Sequence, residues 1–353
     1  MNEFIHTFSI ITHLYLKEKD LLQQAFREDY FYNSTEKTFV LSRYAPRGVR
    51  IQMKFTPQKE KQYDKKHREC KVELIITPAK LLYPNEPMKK LHTKQEYCQA
   101  LAVLEEILGE IELISGVRVW HEAKIHRLDV AKDIQTPSNA YSQEVIRLAK
   151  KALTKTGYHL WTPTAQDIEK TGWLEEDSIL FRNHNQGVNS KIYNKLTDMQ
   201  NNNYEAANVS GLLRFELSLK RKYLKEQGML DEKDLDMTNL TSILYDVLDR
   251  AEDLLQTHIS GPLWSGAMLS KRLQKIYSKI HCRTHPKKLE KMLKYRKLCN
   301  AGIGERSAKA EEYYAEMGLS PIYTSDEFKY IPSFADLLAQ TEDERISRFI
   351  KFH

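Results

Sequence analysis

The sequence has little cysteine, and none of it in a pattern. Four cysteines in 353 residues, Cys70, Cys98, Cys282 and Cys299, are too few and too irregularly spaced for a disulfide framework, so a reducing cytoplasm is the default expectation. Long apolar runs are missing as well. No segment approaches the roughly 20 residues that a membrane-spanning helix needs, and the opening "MNEFIHTFSIITHLYLKEKD" has neither a basic start nor an uninterrupted apolar core. We therefore expect a soluble, cytoplasmic chain with no membrane partner. There is no internal repeat and no low-complexity linker. Strong charge of one sign is absent too: the net charge of +6 suits contact with a polyanion without establishing it.

What is present is alternation. "FIHTFSIITHLYL", "KTFVLSRY" with "VRIQMKF", "CKVELII", "IHRLDVAKDI", "SILFRNHN" with "NSKIYNKL", and "GLLRFELSLK" read as strands. The pairs form hairpins, the first turning at "APRG". Helical spacing takes over from Thr93 to Gly116, again in "SNAYSQEVIRLAKKALTKTG" with its glycine stop, and throughout the region after about residue 237. The fold class expected is α+β, an antiparallel sheet with helices on one face, followed by a helical C-terminal region. The Gly-Pro break in "HISGPLW" places the expected boundary between residues 1–262 and 263–353.

Side chains two apart on a strand share a face. Leu213, Phe215, Leu217 and Leu219 thus oppose Arg214, Glu216, Ser218 and Lys220. Leu128 and Val130 oppose Arg127, Asp129 and Asp133. Val72 and Leu74 oppose Lys71 and Glu73, and Tyr193 stands between Lys191 and Lys195. The bland reading is a solvated, salt-bridged sheet face. The other reading is a site for cutting a phosphodiester. A phenol titrates near 10, so attack at neutral pH needs a cation or a base beside it; Lys191 and Lys195 are the cations expected there. Clustered Glu73, Asp129, Asp133 and Glu216 would be joined by Mg²⁺ or Mn²⁺, with Arg127 and Arg214 binding the remaining phosphate oxygens or bracing the carboxylates.

Four of these segments, in this order, resemble the filamentous-phage gene II/gene X family of rolling-circle replication initiators, and more distantly plasmid initiators. "VELIITPAKLL" is similar to the family's strand with its "SPAK" segment, "HRLDVAKDI" to its arginine-x-aspartate segment, "KIYNKLTDM" to its tyrosine-x-lysine segment, and "GLLRFELSLKRKYLKEQG" to its "VRFE" strand and basic run. The resemblance implies a rolling-circle nuclease palm, related in shape to RRM folds. It also implies a chain that nicks and rejoins one strand at an origin through a 5′-phosphotyrosine and leaves a 3′ hydroxyl for a host DNA polymerase, with a host helicase as partner. It assigns the nucleophile to Tyr193 and matches Asp129, Glu216, Arg127 and Arg214 to family positions. A His-hydrophobic-His signature is lacking: His121 and His126 are five apart and His184 stands alone.

Lysine and arginine recur from residue 271 to 297. Lys287, Lys288, Lys291, Lys294 and Arg296, with Lys220, Arg221 and Lys222 after the last strand, are the residues expected on the DNA backbone. The competing readings are a non-cleaving origin-binding regulator and a conjugative relaxase. Relaxases depend on a histidine cluster that this sequence does not show.

Overall fold

The alternation at the N-terminus becomes strand β1 (Glu3–Tyr15). A computed structural model of the chain describes residues 3–34, 38–55, 69–151, 158–161, 178–183, 185–201, 211–230, 235–260, 266–301, 307–325 and 327–339. The other main-sheet strands are β2 (Tyr30–Asn33), β3 (Thr38–Leu41), β4 (Val49–Phe55), β5 (Glu69–Ile76), β6 (Lys124–Gln135), β7 (His159–Trp161), β8 (Ser178–Asn183), β9 (Val188–Asn194) and β10 (Leu212–Lys220). The helices are α1 (Leu16–Ala25), α2 (Pro78–Leu82), α3 (Lys94–Ser115), α4 (Asn139–Lys151), α5 (Lys195–Asn201), α6 (Arg221–Glu226), α7 (Met237–Asp249), α8 (Ala251–Leu255), α9 (Lys271–His281), α10 (Pro286–Asn300), α11 (Ala308–Glu316) and α12 (Phe334–Ala339). The class is the α+β, antiparallel-sheet class that the alternation predicts, with a helical C-terminal region. A short ladder, Met268–Leu269 with Tyr330–Ile331, interrupts that region.

The chain gathers into two units, Glu3–Ala131 with Ser218–Ala251, and Lys132–Leu217 with Glu252–His353. This is not the expected division at residue 262. Hydrogen bonds tie the C-terminal segment to the middle of the chain: Ser325 N donates to Glu144, Arg147 to Tyr323 O, Lys132 to Leu338 O and Gln256 to Ala335 O. The Gly-Pro break and the glycine stop at Gly157 lie outside the described residues.

In the first unit the strands hydrogen-bond in the order β2-β3-β4-β5-β1-β6-β10. The register aligns one row after another, apolar but for the last member: Val49, Ile76 and Phe8; Ile51, Leu74 and Ile10; Met53, Val72 and Thr12. These residues are buried, while Gln52, Lys71 and Glu73 on the alternate positions stay half-exposed. Thr93 and Glu96 close a reciprocal cap on α3, and Gly116 ends it at φ 70°. Tyr97 of α3 fixes the helix to the sheet, its hydroxyl accepting from Ile5 N at 2.8 Å and donating to Leu91 O at 3.2 Å. The β3–β4 turn ends at Gly48, φ 86°, where a Cβ would lie 2.8 Å from Thr77 O.

In the second unit the order is β6-β10-β9-β8-β7, with β6 and β10 each having residues in both units. Helix α4 packs on β8 and β9. A π-helical turn, Gln256–Ser260, accepts from Ser190 Oγ of β9 at His258 O, 2.7 Å away. The His258 ring is buried beside the Tyr158 hydroxyl, 2.6 Å from Nδ1, and burial pushes its pKa down to about 4. The folded value therefore lies below the unfolded one, near 6.5. The unfolded chain binds the extra proton first, so this stabilisation is complete above about pH 6.5 and is lost as pH falls toward 4. Between those values each pH unit removes about 1.4 kcal/mol. Unfolding midpoints measured across that range should fall more steeply for the native chain than for His258→Gln; identical slopes would contradict the assignment.

Candidate active site

Strand β9 carries Tyr193, opposite Ser178 of β8, and β10 runs on its other side. The ring is 5% exposed. Its hydroxyl donates to Glu216 Oε2 of β10 at 3.1 Å. Two residues back on β10, Arg214 reaches Asp133 of β6 with Nε to Oδ1 at 2.5 Å and Nη2 to Oδ2 at 2.8 Å, a bidentate pair with both partners buried. Lys191 places its ammonium 4.1 Å from the centroid of the Tyr193 ring. All these residues belong to the second unit.

The arrangement of the lysines differs from the alternation read in the sequence. Asn194 ends the strand, its Oδ1 accepting from Leu196 N at 3.1 Å, as an N-cap does. Lys195 consequently opens helix α5 and does not face Tyr193 as part of the strand. It bonds Asp198 at 2.5 Å, an i,i+3 pair that the sequence reading missed. An Asn ahead of "KLTDM" is the helix-start signal that would have shown both. Asn194 Nδ2 also donates to Asn139 Oδ1 at 2.5 Å, fixing the turn to the start of α4.

The electrostatics follow the burial. Burial first, then the Glu216 carboxylate, raises the Tyr193 phenol well above its ordinary value, against the lowering influence of Arg214; Asp198 and Asp133 add to the rise. The expected cationic lowering of this phenol is therefore overturned, and at neutral pH Tyr193 keeps its proton. Burial and Arg214 lower Lys195, with Asp198 opposing. Burial alone would raise Asp198, but Lys195 holds it below the usual carboxylate range. Burial would likewise lower Arg214, and Asp133 more than reverses this.

The carboxylates expected to share a cation are not gathered. Asp133 gives both oxygens to Arg214, and Glu216 accepts from Tyr193. In the first unit Asp129 is buried with Arg127 Nε 3.2 Å from its Oδ2. Glu73 lies on β5, separated from β6 by β1. Its charge acts on His126, which burial, Lys71, Arg127 and Lys220 hold below its ordinary value against Glu73. No group of three or more His, Cys, Asp or Glu side chains suited to a metal exists among the described residues, so these residues do not fit the Mg²⁺ or Mn²⁺ ligand set read from the sequence. His184 lies outside the described residues.

Of the two roles expected of the arginines, gripping phosphate or bracing carboxylates, the ion pairs show the second, Arg214 with Asp133 and Arg127 with Asp129. Arg221 donates to Ile125 O at 3.2 Å, and Lys222 pairs with Glu226 on the surface of α6, while Lys220 ends β10. On α10, Lys287, Lys291 and Lys294 are exposed. Lys288 instead bonds Glu316 at 2.5 Å, and Arg296 is buried.

A buried guanidinium without its partner is costly. Asp133→Asn should destabilise the fold by about 3–5 kcal/mol, whereas Asp133→Leu combined with Arg214→Met should recover most of the loss. Denaturant unfolding of the three proteins checks this; a nearly neutral Asp133→Asn would show that the pair is dispensable.

No protein-family model matches the chain, and no curated protein does either. Among solved structures, the chain is similar to one described as a rolling circle replication initiator protein from Geobacillus stearothermophilus, at 10% identity and a TM-score of 0.30, over 70% of this chain and 80% of that one.

Proposed function

We propose that this chain is a rolling-circle replication initiator that nicks and rejoins one DNA strand at an origin, with Tyr193 as nucleophile. The observation that carries the reading is the Tyr193–Glu216 hydrogen bond, a phenol and a carboxylate in direct contact with cationic side chains around them. It lies in the segments that resemble the initiator family. A nucleophile paired with a base is the arrangement that covalent catalysis requires.

Because the phenol keeps its proton at neutral pH, attack needs a group that removes the proton as the bond to phosphorus forms. Glu216 is that group. The phenolic oxygen bonds to phosphorus while the bond from phosphorus to the 3′ oxygen breaks. The departing 3′ oxygen takes a proton from water and becomes the hydroxyl from which a host polymerase extends. Rejoining reverses the step, the 3′ hydroxyl attacking the phosphotyrosine and giving its proton to water while the phenol recovers its own from Glu216. Lys191 steadies the ring, and the Arg214–Asp133 pair positions β10 and keeps positive charge near the reacting oxygen. Origin DNA and a host helicase are the proposed partners. The exposed lysines of α10 hold the duplex.

The burial of Tyr193 favours a second reading, a non-cleaving origin-binding regulator in which the ring only packs. Attack on DNA requires the hydroxyl to be uncovered. Incubation with supercoiled DNA from the encoding element separates the two. The native chain should relax the DNA and form a covalent adduct. Tyr193→Phe should fold and bind without either product, and Glu216→Gln should slow nicking by roughly 10²- to 10⁴-fold. Unimpaired nicking by Tyr193→Phe would end the proposal.

The lysines of α10 give a separate expectation. Replacing Lys287, Lys291 and Lys294 by glutamate should weaken duplex binding and reduce the slope of log affinity against log salt by about 3, roughly one for each phosphate that no longer meets a lysine. An unchanged slope would make that face merely solvated.

A further inference from the structure

Helix α9, "KRLQKIYSKIH", is turned the opposite way from what its apolar period predicts. Leu273, Ile276, Tyr277 and Ile280 recur at i, i+3, i+4 and i+7, the spacing of a core-facing stripe. Yet Ile276 is 43% exposed, Tyr277 55% and Ile280 69%. The side of the helix that is buried is polar. Gln274 donates to Ser320 O and to Ile322 O, Ser278 Oγ to Gln274 O at 2.8 Å, and Ser270 caps the start. Bridges from Ala267 to Leu319 and from Ser270 to Thr324 lay the neighbouring segment along this polar side. Hydrogen bonding thus fixes the helix with its apolar ridge in water.

The charge that α9 itself carries beside the ridge is of one sign, and the acidic neighbour Glu316 stands 3.8 Å from His281 at the helix end. Lys271, Arg272, Lys275 and Lys279 occupy the adjoining side, and α9 contains no carboxylate. Among the described residues, none of Arg272, Lys275 and Lys279 has a carboxylate within ion-pair distance. Contiguous exposed apolar surface of this kind marks an interaction site, and the charge bordering it selects the partner. A second α9 would oppose lysine to lysine. A DNA groove offers hydrogen-bonding edges and phosphates, against which an aliphatic ridge whose polar atom is the Tyr277 hydroxyl loses water with little return.

We propose that the exposed side of α9 is a docking surface for an acidic amphipathic helix of another protein, its apolar stripe laid on Leu273, Ile276, Tyr277 and Ile280 and its carboxylates on Arg272, Lys275 and Lys279. Tyr277 is the anchor residue that such an interface favours. The inference stands on α9 alone and does not depend on nicking.

The probe is a labelled synthetic helical peptide with leucines at i, i+3, i+4 and i+7 and glutamates on both flanks, followed by fluorescence anisotropy with the full chain. It should bind at least tenfold more tightly than the same peptide with lysine flanks and than a scrambled acidic peptide. Ile276→Ser with Ile280→Ser, and separately Arg272→Glu with Lys275→Glu and Lys279→Glu, should each weaken it at least tenfold. Both sets lie on the surface, and circular dichroism checks that they fold. Equal binding of all three peptides, or binding that neither variant weakens, would overturn the proposal. So would loss of duplex-DNA binding, of anionic phosphatidylserine vesicle binding, or of self-association in Ile276→Ser with Ile280→Ser, where the native chain shows that activity and no preference for the acidic peptide.

Discussion

The Arg214–Asp133 pair is the constraint on which the candidate site depends. Two buried, oppositely charged groups on neighbouring strands hold each other by two hydrogen bonds, so neither strand can slip without leaving a charge unpaired. Glu216 is two residues beyond Arg214 on the same side of β10, and its position against the Tyr193 hydroxyl follows from that register. The same guanidinium lowers Lys195 and partly offsets the rise of the Tyr193 phenol. One ion pair thus sets both the geometry and the charge balance of the site.

Glu216 changes meaning in this setting. Among acidic residues on adjacent strands it reads as a metal ligand, but in the proposed reaction its contact with a protonated phenol makes it the base. The burial of Tyr193 supports that change: a phenol raised by burial has little phenolate to offer, and cations placed near it are less useful than a proton acceptor. The cations nearby serve other ends, Lys191 on the ring and Lys195 on Asp198.

Much of the fold was legible because its signals are local. Alternation marked β1, β5, β6 and β10, and Thr93 and Gly116 marked the ends of α3. Asp133, Arg214, Glu216 and Tyr193 were all named from strand faces, and they meet. What alternation could not convey was strand order. It gave no sign that β1 lies between β5 and β6, which separates Glu73 from β6; pairing of acids with arginines was the bland reading of that face, and strand faces alone do not choose it over a metal site. The Asn194 cap was readable but was outweighed by the strand pattern around it. The apolar period of α9 pointed inward, and only the tertiary hydrogen bonds of Gln274 show that it faces out.

The central claim is that the Tyr193 oxygen becomes bonded to DNA. Its most direct test is to trap the adduct on a strand labelled at the scissile phosphate, digest the protein, and sequence the labelled peptide by mass spectrometry. The account predicts a phosphotyrosine at Tyr193, in the peptide containing "SKIYNKLTDM". A label on any other residue, or nicked product with no covalent intermediate, would contradict it.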